Sequence, residues 1–88
     1  MRRIVFEDNA FEDYTDWGIY NKNIFKRIYE IIKDIRRQPF EGIGKPEALK
    51  HNLKGYWSRR ITDEHRIVYR VSDQDIAIIS VKGHYTDL

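Results

Sequence analysis

The spacing of apolar residues changes period along the chain, and each change marks an element. Arg3 to Glu7 carries Ile4-Val5-Phe6 and is stopped by Asp8-Asn9, which predicts a short, well-buried first strand. Asn9 is placed to cap a helix with Glu12 as its reciprocal partner, and Phe11, Tyr14 and Trp17 then share a face up to Gly18. Asn21 caps a second helix in which Ile24, Ile28, Ile31 and Ile35 form an apolar stripe at helical spacing, with Lys22, Lys26, Lys33 and Arg37 on the other side. Pro39 disfavours helical geometry in Gln38, so this helix stops there. The helices are predicted at about residues 9–20 and 22–38.

Pro39 to Pro46, with Gly42 and Gly44, reads as a loop rather than a linker between domains, being too short to hold separate cores apart. Beyond Gly55 the period becomes two. Tyr56 to Thr62, His65 to Ser72 and Ile76 to Tyr85 are predicted strands, turned at Asp63-Glu64 and Asp73-Gln74-Asp75. A one-residue slip in a hairpin sends every side chain to the opposite face, so the apolar positions fix the register. With Ile61 and Ile67 on the helix-covered face, Arg60, Arg66 and Val68 share the open one. The expected architecture is α+β: one domain over residues 1–88, with two N-terminal helices on one face of an antiparallel sheet and arginines on the other.

Length limits what this domain can bury. Eighty-eight residues bury about 60 to 65% of the surface the unfolded chain exposes, which implies modest stability. Without cysteine there is neither disulfide nor thiolate metal site, in keeping with a reducing cytoplasm. No stretch approaches the roughly 20 apolar residues of a membrane span, so a soluble, cytoplasmic protein is expected. Net charge is only +2, but the charges are segregated. Residues 7–16 hold five acids and no cation, whereas residues 22–37 hold six cations and two acids.

The chemistry-bearing groups concentrate between Lys45 and Arg66. From Lys45 to Arg60 five cations (Lys45, Lys50, Lys54, Arg59, Arg60) face a single acid, Glu47, with Tyr56 and Trp57 among them, a pattern suited to RNA. A carboxylate, an arginine and a histidine are sufficient for RNA cleavage without metal, because the ribose 2′-hydroxyl is the nucleophile. Glu47, Arg66 and His84 could fill the three roles, with Tyr85 stacking on a base or completing the proton path and Lys50 and Arg60 on phosphate. Each residue also has a plainer reading. Glu47 alone is a solvated loop acid, Arg60 and Arg66 are surface ion-pair partners of Asp63 or Glu64 worth roughly 0 to 1 kcal/mol, and Trp57 is partly core. His51, His65 and His84 show no paired spacing for a metal, and no glycine loop cradles phosphate, so no metal or cofactor is expected.

Two segments carry a resemblance. Arg36-Arg37-Gln38-Pro39-Phe40-Glu41-Gly42-Ile43-Gly44-Lys45-Pro46-Glu47-Ala48-Leu49-Lys50-His51-Asn52-Leu53, and then Gly55-Tyr56-Trp57-Ser58-Arg59-Arg60-Ile61-Thr62-Asp63-Glu64-His65-Arg66-Ile67-Val68-Tyr69, closely resemble the YoeB toxins of the RelE/ParE superfamily. The likeness extends in weaker form to His84-Tyr85. It implies a microbial-RNase, RelE-like fold of order β-α-α-β-β-β, and a ribosome-dependent mRNA endonuclease of a bacterial type II toxin-antitoxin pair that cuts in the A site of the 70S ribosome. By resemblance the general base falls on Glu47, the phosphate-stabilising arginine on Arg66 and the general acid on His84, followed by Tyr85. Lys50 and Arg60 match supporting basic positions, Lys45 and Lys54 extend that basic surface, and Glu64 matches a base-contacting acid.

The same resemblance implies a YefM-like antitoxin that wraps the toxin and binds operator DNA together with it; a homodimer is also open, and no membrane partner is expected. The alternative is a ParE-like, non-nucleolytic toxin of the same scaffold acting on a protein target such as gyrase. A DNA-binding module acting alone is disfavoured, because the chain lacks a helix-turn-helix signature. The chain departs from the family pattern at Ala48, where many relatives have proline, and in Thr86-Asp87-Leu88, which follow the His-Tyr pair.

Overall fold

A computed structural model describes residues 1–84. Strand β1 (Arg3–Phe6) leads into helices α1 (Asp8–Tyr20) and α2 (Lys22–Arg37), and strands β2 (Glu47–Ala48), β3 (Tyr56–Arg60), β4 (Arg66–Val71) and β5 (Asp75–Ser80) follow. They form one sheet in the order β1-β5-β4-β3-β2. Ile28, Ile31 and Ile35 of α2 are fully buried, in one cluster with Ile61, Ile67, Tyr69, Ile76, Ile78 and Val81. The stripe spaced for a helix face is thus the surface that closes the sheet's covered side.

Asn21 caps α2, accepting the Ile24 N–H through its side chain at 3.2 Å. The helix ends where Pro39 requires, with Gln38 leaving helical geometry. At the start of α1, by contrast, the expected Asn9 cap is not used. The Glu7 N–H still donates to the Ile78 carbonyl at 3.0 Å, so the chain passes straight from the sheet ladder into a helix beginning at Asp8, with no side-chain cap.

Four further expectations are corrected. The sheet is mixed: β1 lies parallel to β5, pairing Ile4 with Ile76 and Phe6 with Ile78, while the other neighbours are antiparallel. Short hairpins impose antiparallel pairing between successive strands, but no hairpin joins β1 to β5, which are separated in the chain by two α-helices and three strands. β1 is also an edge strand with alternating burial, and Val5 is 42% exposed. The last strand ends at Ser80 rather than Tyr85, after a register shift opposite Val68 and Tyr69. The two-residue β2 adds a strand on the far edge, pairing Glu47 with Ser58. Val68 does occupy the open face, yet it is buried, lying between Ser58 and Ser80 on the neighbouring strands. Among the described residues no helix is long and apolar enough to cross a membrane.

Candidate active site

The hairpin register brings the open face together. Arg60 pairs with Arg66 across β3 and β4, while Ser58 pairs with Glu47 of β2 on one side and with Val68 on the other. Alternation then sends Ser58, Arg60 and Arg66 away from the helices. Lys45, Pro46, Glu47, Ser58, Arg60, Arg66 and His84 line one open cleft of about 480 Å³ there. The sequence-predicted trio of Glu47, Arg66 and His84 therefore shares one cleft, with Lys45 and Arg60 beside it. Lys50, Lys54 and Glu64 do not line it: the two lysines flank the short turn His51–Leu53 and Glu64 sits in the β3–β4 turn, all three exposed. Tyr85 falls outside the described residues.

Arg66 is anchored from below. Its Nη1 donates to the carbonyls of Thr62 at 2.5 Å, His65 at 3.1 Å and Asp63 at 3.2 Å, so that among the described residues Nε–H and the Nη2 donors are left for a ligand. Arg60 reaches Asp63 only at 3.9 Å and is itself half exposed. That pair is too long and too wet to tie up the guanidinium. Glu47 is exposed in the short edge strand, and the Arg60 N–H fixes the approach to it by donating to the Gly44 carbonyl at 2.7 Å.

Behind the cleft lies a group whose place differs from the one expected. Arg59, counted above among the surface cations, is fully buried, and all five of its N–H donors are satisfied. Nε donates to the Tyr69 hydroxyl at 3.1 Å, and Nη1 to Asp34 Oδ2 at 2.7 Å and the Ile43 carbonyl at 3.2 Å. Nη2 donates to the carbonyls of Gln38 at 2.6 Å and Glu41 at 2.7 Å. One guanidinium thus gathers the 38–43 loop that delivers Lys45, Pro46 and Glu47. Burial alone would raise the Asp34 pKa, but hydrogen bonds from the Ile43 N–H, Gln38, Arg37 and Arg59 outweigh it and hold the carboxyl well below the usual range. The Tyr69 hydroxyl, which donates to the Pro39 carbonyl at 2.7 Å, is pushed up by its burial, although Arg59 opposes the shift.

Trp57 is partly buried against the core, with Phe40 at a ring distance of 5.1 Å. The stretch that reads as a basic, aromatic face therefore gives one cation and one aromatic to the interior. Ser58 and Pro46 are lining residues that the sequence did not single out, although period-two alternation puts Ser58 on the face of Arg60. Among the described residues no group of three or more histidine, aspartate or glutamate side chains is placed to hold a metal ion.

Two helices packed on a five-stranded mixed sheet are the fold of the YoeB/RelE-like bacterial toxins, as known structures show. The chain is similar to "The structure of YoeB dimer from Staphylococcus aureus", with a TM-score of 0.89 and 52% identity covering 96% of this chain and 98% of that one. It is similar to the "YoeB-YefM complex from Staphylococcus aureus", with a TM-score of 0.87 and 52% identity over 97% and 99% of the two chains. Toxin YoeB of Escherichia coli O6:H1 (strain CFT073) is 53% identical over 83 residues, which are 94% of this chain and 99% of the relative. The family described as "YoeB-like toxin of bacterial type II toxin-antitoxin system" matches residues 6–85. The chain belongs to that family.

Proposed function

We propose that this toxin is a ribosome-dependent endoribonuclease that cuts mRNA in the A site and so inhibits translation. The observation that carries the reading is the convergence of Glu47, Arg66 and His84 in one open cleft with Lys45 and Arg60. Glu47 takes the proton from the 2′-hydroxyl as that oxygen attacks the adjacent phosphorus. Arg66 binds the charge growing on the phosphoryl oxygens through the donors its turn leaves over. The bond from phosphorus to the 5′-oxygen breaks, and His84 supplies the proton to that leaving oxygen. The products are a 2′,3′-cyclic phosphate, or the 3′-phosphate that water opens it to, and a 5′-hydroxyl. These roles account for every proton and charge without a metal. Lys45 and Arg60 hold neighbouring phosphates, Lys50, Lys54 and Glu64 meet nucleotides at the rim, and Tyr85, next in sequence to His84, stacks on a base or completes the proton path. The partner that restrains the toxin is a YefM-like antitoxin, by analogy with the solved Staphylococcus aureus complex, and operator DNA is met only through that complex. Self-association follows the same analogy, with the dimer of that relative. The reaction places the toxin in the bacterial cytoplasm.

Primer extension on messages from a cell-free translation system tests this. Wild type cuts within the reading frame, and Glu47→Gln and Arg66→Ala each lose about 10²- to 10⁴-fold in cutting, the worth of a positioned proton-transfer group or charge. Undiminished cutting by both variants overturns the assignment. Inhibition of gyrase supercoiling with message left intact replaces it with the non-nucleolytic alternative.

A further inference from the structure

His84 reaches the cleft from a segment beyond the end of the last strand. β5 ends at Ser80, and residues 81–83 carry the chain out of the ladder to the imidazole. A general acid must stand within hydrogen-bond reach of the oxygen it protonates, and a misplacement of about 1 Å can cost about 100-fold in rate. Strand pairing of β5 does not reach this turn, so other bonds have to hold it.

Three bonds from different elements do so. The Trp17 indole N–H of α1 donates to the Val81 carbonyl at 3.1 Å. The Arg66 backbone N–H donates to the Gly83 carbonyl at 2.9 Å. The Gly83 N–H donates to Nδ1 of His65 at 2.9 Å. Gly83, at φ 74°, occupies the left-handed region that favours glycine, so its peptide groups point where an ordinary residue would not readily send them. His65 is in turn held by the edge of Trp17, with ring centroids 5.0 Å apart, and its own N–H and carbonyl are tied into the 61–65 turn. Because Nδ1 accepts, it carries no proton, and the ring is the tautomer protonated on Nε2.

We propose that His65 is a positioning residue for His84: through Nδ1 it pins the Gly83 amide, and with Trp17 and the Arg66 backbone it locks the 81–84 turn so that the next side chain enters the cleft. Both ends of the lock join active groups, since Arg66 follows His65 and His84 follows Gly83. The inference rests on the nuclease reading above, in which His84 is the acid.

Two substitutions separate positioning from packing. His65→Phe keeps a ring against Trp17 but removes the acceptor, whereas His65→Asn removes the ring and keeps an acceptor oxygen near the position of Nδ1. If His65 positions His84, the asparagine variant retains cutting within about 10-fold of wild type. The phenylalanine variant falls about 100-fold in kcat, with KM for ribosome-bound message little changed. Amide exchange at Gly83, followed by NMR, should stay slow in His65→Asn and become fast in His65→Phe, a readout independent of cutting. Full activity in His65→Phe overturns the inference, and so does an asparagine variant as impaired as the phenylalanine one. If either variant fails to fold, Gly83 exchange in the other against wild type decides: fast exchange in the asparagine variant, or slow exchange in the phenylalanine variant, overturns the lock. A wild-type chain that leaves message intact removes the nuclease reading itself, whereas an active wild type matched by His65→Phe removes only this inference.

Discussion

Replacing Arg59 by alanine should cost the fold about 4 kcal/mol, a large share of the roughly 5–15 kcal/mol that holds a small domain together. Removing one partner of a buried pair typically costs about 3–5 kcal/mol, because the surviving charge is left in a low dielectric. Asp34 would keep Arg37 at 2.7 Å, Gln38 at 2.9 Å and the Ile43 N–H at 3.0 Å, so its own loss falls below that range, near about 2 kcal/mol. The carbonyls of Gln38, Glu41 and Ile43 also lose a donor, but they border an exposed loop where water can enter, which sets their combined loss at about 2 kcal/mol. Tyr69 keeps its bond to Pro39 and adds little. At about 4–8 °C per kcal/mol for a domain of this size, the melting temperature should fall by about 15–30 °C. Guanidinium unfolding followed by tryptophan fluorescence measures the loss directly. Arg59→Lys should recover less than half, since one ammonium with three donors cannot reach the five acceptors that the guanidinium fork spans. A loss under about 1 kcal/mol in Arg59→Ala would refute the reasoning, because the buried carboxylate would then have found water or another cation unaided.

Two further outcomes concern the same region. Gly42→Ala should destabilise by more than about 2 kcal/mol, because φ there is +121° and an added Cβ would lie 2.0 Å from Asp34 Oδ2; thermal melts check it, and a change within about 0.5 kcal/mol would remove Gly42 from the account. Asp34 titrates lower in the folded chain than in the unfolded one, so its contribution is complete above about pH 4 and is lost as the pH falls below that value. Asp34→Asn should accordingly flatten the acid limb of the stability profile in denaturant titrations between about pH 4 and pH 2, and an unaltered slope would assign that limb to other carboxyls.

The second helix could be read from the sequence because its physics is local. Four isoleucines at helical spacing, an asparagine before them and a proline after them each act within a few residues. The β3–β4 register was equally accessible, since Ile61 and Ile67 could share the core only if Arg60 and Arg66 faced each other on the other side. The parallel seat of β1 was not, because four residues carry no signal of which distant strand they will join. Arg59 is hidden in the sequence for another reason: a run of cations from Lys45 to Arg60 gives it the look of its exposed neighbours. The correcting signals were present. Alternation places Arg59 on the face of Trp57 and Ile61, and Asp34 lies between Ile31 and Ile35, near the buried stripe of α2. A charge on the inward face of each of two packed elements points to a buried pair. The cleft residues Glu47, Arg66 and His84 were named from chemistry and resemblance, but their convergence depends on β2 and on the turn after β5, neither of which has a periodic signature.

The pairing of β1 with β5 bears on how the toxin comes into being. Arg3 meets Asp75 across 72 positions of sequence, through an ion pair and the strand register alike. Contacts between such distant positions form slowly, since a long loop must close before they can repay its entropy. During synthesis the first strand waits, with Ile4 and Phe6 unpaired, until the strand that neighbours it has been made. The residue assigned as general acid is added later still, nine positions beyond Asp75. A growing chain therefore cannot carry the assembled cleft before His84 has been added, and an antitoxin already at hand would meet the toxin fold as the cleft first forms.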